Sequence, residues 1–276
     1  MNGLRDITMS KVDVVDGKAT HLTLKADTVI QNPSRIAMAI DDVTLNMYYD
    51  NLRIGRLKMD KMTIGRGACA VQPMGLFEPA DANKAKANTL LTRYLCQQTS
   101  LITIRGDRSS ISPIAYLQSA LSVMDTTVMM PPLPDALLLS ATMLLQPSAM
   151  LSFGALSRLS IPSQIKLKNP LSVPIKIIRL SGSVFHKNNK ISQMNQDLLK
   201  EPIHVDAGLT MSPTQHLFQK LEVGPQQLWS IFSEAINHDL DVFVSSVMDV
   251  YVGDYLVKHL KYEQEHVQAH LSTLFS

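Results

Sequence analysis

Four groupings in this 276-residue sequence carry residue types that can do chemistry. Gly65-Arg66-Gly67-Ala68-Cys69-Ala70 spells the glycine pattern of a phosphate cradle. Such a cradle works because a helix starts there and aims its free N–H groups at the pyrophosphate. Val71-Gln72-Pro73-Met74-Gly75 follows instead, so the stretch reads as a loop. His259, Glu263, His266 and His270 are metal-ligand types that would share one face of a helix. On a strand, His266 and His270 share a face but stand about 13 Å apart, too far for one zinc ion. They read as a solvated polar edge that holds no metal. Arg105-Gly106-Asp107 reads as a turn with a salt-bridging pair. Asp41 and Asp42 are adjacent, point to opposite sides of a strand, and so do not share a proton. No serine-nucleophile elbow, zinc-protease motif or P-loop is present. The expectation is a protein that is not an enzyme and uses no cofactor.

Composition narrows the partners. The net charge is +2 and aromatic residues make up 5% of the chain, so it has neither a basic footprint nor stacking platforms for bases. Nucleic acid is excluded as a partner on that ground. Cys69 and Cys96 are too few for a disulfide framework. The opening Met1-Asn2-Gly3-Leu4-Arg5-Asp6 lacks the apolar core of a signal peptide, and no apolar run reaches about 18 residues. The longest approach, Ala136 to Leu145, is fenced by prolines at 131, 132, 134 and 147 and reads as a buried strand or short helix. As written, the chain reads as soluble.

The elements that would position any site follow from periodicity. Leu4 to Val15 reads as an opening strand that ends in an Asp16-Gly17 turn. Leu22, Leu24, Ala26, Thr28 and Ile30 share one parity, which is a half-buried strand. Asn32-Pro33 stops it, because proline cannot donate to a ladder. Ile36, Met38 and Ile40 then keep even positions, whereas Val43, Leu45 and Met47 are odd. Such a phase change requires a bulge or bend near Asp41. Tyr49-Asp50-Asn51 makes the next turn, and strands follow at Arg53 to Lys58 and Lys61 to Gly65. Ala87, Leu90, Leu91, Tyr94 and Leu95 lie at helical spacing, which predicts an amphipathic helix over 81–98. Leu101 to Ile104 is β-rich, and Ile114 to Val123 reads as a short helix.

The same pattern returns after 137 positions, the separation of Asn32 from Asn169. Leu167-Lys168-Asn169-Pro170 repeats Ile30-Gln31-Asn32-Pro33, and Val173, Ile175 and Ile177 change phase to Leu180 and Val184 at a predicted second bulge near Ile178. His186 to Asn189 repeats the turn. Leu228, Ile231 and Phe232 repeat the helix face behind a Gly224-Pro225 start, with Ala235 and Ile236 continuing it. Val242-Phe243-Val244 repeats the β-run, and Tyr251 to Leu271 reads as strand, with helix as the alternative. Met129-Met130-Pro131-Pro132-Leu133-Pro134, stiff and without strand potential, joins the copies. Two domains are therefore expected, 1–130 and 135–276.

The string from Val29 through Asn32-Pro33 and the apolar alternation to Ile54-Gly55 resembles the late-embryogenesis-abundant group 2 domain, also called the water-stress and hypersensitive-response domain. Tandem copies resembling this chain occur in membrane-anchored proteins of fungi and protists, some of them vacuolar. Two positions depart from the first copy: Ser192 stands where Gly55 does, and Gly182 where Leu45 does. The resemblance implies a mainly β fold, two tandem antiparallel fibronectin-like β-sandwiches with one amphipathic helix each. It supplies no catalytic residues. It implies association with a membrane, vacuolar or other endomembrane.

Fifteen methionines, several near the join, are flexible apolar filler. Thr127 to Leu156 and the two helices could close over an apolar cavity. The candidate ligand-binding residues are Leu91, Tyr94, Leu95, Met143, Leu228, Ile231 and Phe232. The expected partner is membrane lipid, an apolar ligand or a partner protein, with a structural spacer or stress-protection role as the alternatives.

Overall fold

The computed structural model describes residues 5–33, 35, 37–40, 42–107, 122–145, 160–213, 217–237 and 239–273. The chain is mainly β and forms two compact units. The first comprises Met1–Pro134 with Leu171–Val173 and Gly253–Tyr255, and the second comprises Asp135–Pro170, Pro174–Val252 and Leu256–Ser276.

The first unit runs β1 (Arg5–Lys18), β2 (His21–Asn32), β3 (Met38–Ile40), β4 (Val43–Tyr49), β5 (Leu52–Met59), β6 (Met62–Ile64), β7 (Gly67–Val71) and β8 (Met74–Phe77). Helix α1 (Lys84–Leu95), β9 (Ser100–Arg105) and β10 (Asp125–Met130) complete it. Its main sheet has the order β1-β2-β8-β5-β4-β9-β10, with β7 also on β2, while β3 and β6 pair apart. The second unit runs β11 (Leu138–Leu145), β12 (Ser160–Lys168), β13 (Ile175–His186), β14 (Asn189–Asp197), β15 (Ile203–Val205), β16 (Thr210–Met211) and β17 (Leu217–Leu221). Then come helix α2 (Pro225–Asn237), β18 (Leu240–Val252) and β19 (Tyr255–Thr273). Its ring runs β11-β12-β17-β14-β13-β18-β19, with β15 on β13 and β16 on β12.

These two strand orders are the same order. They differ at the seam: β19 runs parallel to β11 and closes the second ring, whereas β10 and β1 form no ladder among the described residues. Every other pairing with a described register is antiparallel, so the closure is the one parallel ladder among them.

The repeat extends to backbone detail. Asp50 and Asn51 have φ of 51° and 62°, and Lys187 and Asn188, at the same offset, have 47° and 65°. Positive φ at both central residues is the condition of a type I′ turn, whose twist suits a two-residue hairpin. The register slips between Met47 and Tyr48 in the first copy and between Val184 and Phe185 in the second, again at one offset. The asparagine of each Asn-Pro is buried and clamps a distant carbonyl. Asn32 Nδ2 donates to Gly65 O at 2.9 Å, and Asn169 Nδ2 to Val205 O at 3.1 Å and Asp206 O at 3.2 Å. Asparagine does this because its amide carries two donors beside a proline that has none.

The predicted bulge near Ile178 is present: β13 slips between Ile177 and Arg179 against β18, and Ile177 and Ile178 are both buried. In the first copy the same place is a break. β3 ends at Ile40, β4 starts at Val43, and the two lie in different sheets; Asp41 and Ile36 lie outside the described residues. Where Gly55 crosses Leu76, a side chain would collide with the Leu76 carbonyl. Ser192 at that place bonds Gln219 at 2.6 Å, Gln219 bonds Ser163 at 3.0 Å, and Ser163 donates to Leu217 O at 2.8 Å. A buried polar chain with every member partnered thus replaces a close approach.

Several local expectations are corrected. β1 passes through Asp16 and Gly17, because a register slip at Val14 absorbs the extra residue, and turns at Ala19-Thr20. Gly67–Val71 is a strand paired with β2, not loop. Met129 and Met130 belong to β10, where Met130 is buried. Most of the predicted 114–123 helix lies outside the described residues. Tyr251 to Leu271 is strand through a Gly253-Asp254 turn, which removes the helical alternative.

Candidate functional site

Helix α1 buries Ala87, Leu90, Leu91, Tyr94 and Leu95, the predicted face. Its entry is tied down by Asn83 Nδ2 donating to Arg53 O at 3.2 Å. Tyr94 is 3% exposed and its hydroxyl donates to Val12 O at 2.7 Å. Burial pushes this phenol well above the usual tyrosine range. Leu228, Ile231 and Phe232 are buried likewise on α2, and Met143 is buried on β11. Leu91, Tyr94 and Leu95 thus pack in one unit, and Met143, Leu228, Ile231 and Phe232 in the other. Residues 146–156 of the expected Thr127–Leu156 cover lie outside the described residues.

Of these seven, Ile231 alone lines one of the two grooves described here. That groove, of about 140 Å³, lies against the Lys187-Asn188 turn and is otherwise lined by residues such as His186, Gln227, Ser230 and Glu234. His186 is 7% exposed, with Nδ1 3.0 Å from Asp241 O and Nε2 3.3 Å from Glu234 Oε2. A carbonyl only accepts, so Nδ1 carries a proton in that bond. Lys187 Nζ is 2.9 Å from the same carboxylate. Lys187 first, and His186 after it, hold the Glu234 carboxyl below its ordinary range.

The larger groove belongs to the first unit and has a volume of about 680 Å³. It lies against the equivalent turn, Asp50-Asn51, and takes its floor from the outer face of β9 and β10. Register makes that face a ladder of three rungs, of which the first two line the groove. Leu101 faces Met129, Thr103 faces Thr127, and Arg105 faces Asp125. The first rung is apolar and bare, with Leu101 61% and Met129 58% exposed. The second places two hydroxyls 3.3 Å apart, and the third is an ion pair at 2.9 Å, its guanidinium lying over the Tyr48 ring. Arg93, from the last turn of α1, lines the same groove. It donates from Nε to Ser100 Oγ at 3.1 Å and from Nη2 to Thr99 O at 2.7 Å. Asp50 also lines the groove and is paired with Lys86 at 2.5 Å.

Sequence reasoning missed Arg93, Leu101 and Met129. A signal existed: in Leu101-Ile102-Thr103-Ile104 two adjacent large apolar residues cannot both face inward on a strand.

The remaining chemistry-bearing groupings separate. His266 Nδ1 pairs with Asp241 Oδ2 at 2.7 Å, His270 Nδ1 with Asp239 Oδ1 at 2.6 Å, and the His259 N–H donates to Asp249 Oδ1 at 2.8 Å. Among the described residues no group of three such side chains could hold a metal ion. Asp241 raises the His266 imidazole above its ordinary value through a hydrogen bond and charge. In Arg105-Gly106-Asp107 the pair does not close on itself: Arg105 goes to Asp125, and Asp107 accepts from Asn46 Nδ2 at 2.6 Å. β9 lies between β10 and β4, so Arg105 finds its partner on one neighbouring strand and Asp107 on the other. Gly67 to Val71 being strand, no helix N-terminus stands behind Gly65-Arg66-Gly67. Cys69 and Cys96 do not form a disulfide. Among the described residues no helix is long and apolar enough to cross a membrane, which says nothing of strands.

No family model matches the chain, and no curated protein matches it. Three solved structures show a distant similarity. A protein from Archaeoglobus fulgidus shares 16% identity over 42% of this chain and 86% of its own, with a TM-score of 0.22. Red sea bream transglutaminase shares 12% over 98% of this chain and 32% of its own, with a TM-score of 0.35. The E. coli chaperone DraB shares 11% over 94% of this chain and 96% of its own, with a TM-score of 0.14. Such low scores carry no argument for this chain.

Proposed function

We propose that this chain is a non-enzymatic binding module that takes a lipid or another apolar ligand at a membrane surface. The observation that carries the reading is the bare Leu101–Met129 rung on the floor of the 680 Å³ groove. Two large apolar side chains left opposite one another in water cost free energy that a ligand covering them recovers. A concave site of this size lies within the roughly 300–1,000 Å³ of small-molecule sites. The resemblance to the water-stress and hypersensitive-response domain supports the membrane setting. Native mass spectrometry of the purified chain, before and after organic extraction, tests the reading together with vesicle flotation. A bound species lost on extraction and absent from Leu101→Ser/Met129→Ser supports it. A clean apo mass with no flotation overturns it and favours a structural spacer, the reading that the stiff Pro131-Pro132-Leu133-Pro134 join suggests.

A further inference from the structure

We infer that the groove of the first unit selects amphiphiles with an anionic head, Arg93 receiving the carboxylate and the Leu101–Met129 rung the chain. The inference rests on the reading just given and adds the head-group chemistry. Arg93 is a fixed cation whose two acceptors, Ser100 Oγ and Thr99 O, are both neutral. Among the described residues it makes no ion pair. Two of a guanidinium's five N–H groups are engaged, which leaves donors for an incoming carboxylate.

The other charges on or beside the groove are already matched. Asp50 is paired with Lys86, and Arg105 with Asp125. Thus, among the described lining residues, the one uncompensated charge is positive. Arg93, Ser100, Leu101 and Met129 all line this groove, so the cation and the apolar rung open into the same space. Leu101 and Met129 lie directly opposite, and the hydroxyl rung follows two residues along, about 7 Å away. An occupant with its charge at one end and a short apolar body beside it matches this order. A neutral apolar molecule would cover the rung and leave the guanidinium unanswered. A charged bond of this kind is stronger than a neutral one, and its geometry favours carboxylate or phosphate.

The test uses the whole chain, ¹⁵N-labelled, titrated separately with octanoate and with 1-octanol below their micellar and solubility limits. Octanoate is expected to bind roughly tenfold more tightly, with shifts centred on β9, β10 and the end of α1. Arg93→Gln is expected to abolish that preference while leaving octanol binding intact, and Arg93→Lys to keep part of it. Leu101→Ser is expected to weaken both ligands alike. Equal affinity for acid and alcohol in the native chain overturns the head-group inference and leaves the apolar groove standing. Binding of neither ligand at millimolar concentration overturns both. Shifts centred away from Arg93 and Leu101 also overturn the inference.

Discussion

Asp50 and Lys187 occupy one position of the repeat, in one backbone conformation, with opposite charges. Each pairs with the helix of its own unit: Asp50 with Lys86 at 2.5 Å, and Lys187 with Glu234 at 2.9 Å. Both helix partners oppose the macrodipole, since Lys86 stands in the first turn of α1 and Glu234 in the last of α2. Their signs answer the hairpin rather than the helix. Asp50→Lys is expected to lower the melting temperature slightly, and adding Lys86→Glu to recover it. The recovery should fade in 1 M salt, where exposed pairs are screened. Recovery unchanged by salt would mean that the pair acts through packing.

The positive φ at Asn188 has a cost that side-chain choice controls. Asparagine tolerates this region, glycine does so freely, and a β-branched residue does not. Asn188→Gly is therefore expected to be near neutral, and Asn188→Val to cost about 1–2 kcal/mol in urea unfolding.

Asn169 is 1% exposed and bonds two carbonyls. Asn169→Ala strands the buried Val205 carbonyl and removes the part-buried bond to Asp206 O, and is expected to cost about 1–3 kcal/mol. Asn169→Asp tests whether donation is what matters. The carboxylate faces two carbonyls and should be no better than alanine.

Two hydroxyls in the first unit should behave oppositely. Tyr94 bonds Val12 O, so Tyr94→Phe strands a buried carbonyl and is expected to cost about 1–2 kcal/mol. Thr28 is 5% exposed and its Oγ1 has no partner. Thr28→Val removes an unmet polar atom at constant shape, with an expected gain of about 1 kcal/mol. Equilibrium unfolding of both variants checks the pair. A loss at Thr28→Val would indicate a buried water on that oxygen.

His266 should titrate above the ordinary histidine value, because Asp241 favours its charged form. A pKa raised in the folded state contributes stability in full below the unfolded value and loses it as pH rises through the folded one. The contact with Asp241 should therefore weaken as pH rises through the folded-state midpoint, which lies above the ordinary histidine value. Proton NMR of the imidazole checks this, and Asp241→Asn should return the midpoint to the ordinary value.

The sequence alone determined what is local. Period-two apolar alternation, the Asn-Pro stops, the helix faces from Ala87 to Leu95 and from Leu228 to Phe232, and the I′ turn residues each depend on neighbours within a few positions. Their recurrence at one offset specifies a duplicated β unit. The phase change at Ile178 was legible for the same reason, since parity is a property of consecutive residues. Tertiary structure decided what depends on distant partners. The closure of the second ring pairs Ser140–Leu145 with Gln268–Thr273, and no local pattern specifies that ladder or its direction. The separate fates of His266 and His270 were set by Asp241 and Asp239 across a strand pair. The groove itself exists because register sets Leu101 against Met129 and the end of α1 brings Arg93 beside them. Periodicity can tell which side of a strand is wet. Which side chains meet there is fixed only when the sheet has folded.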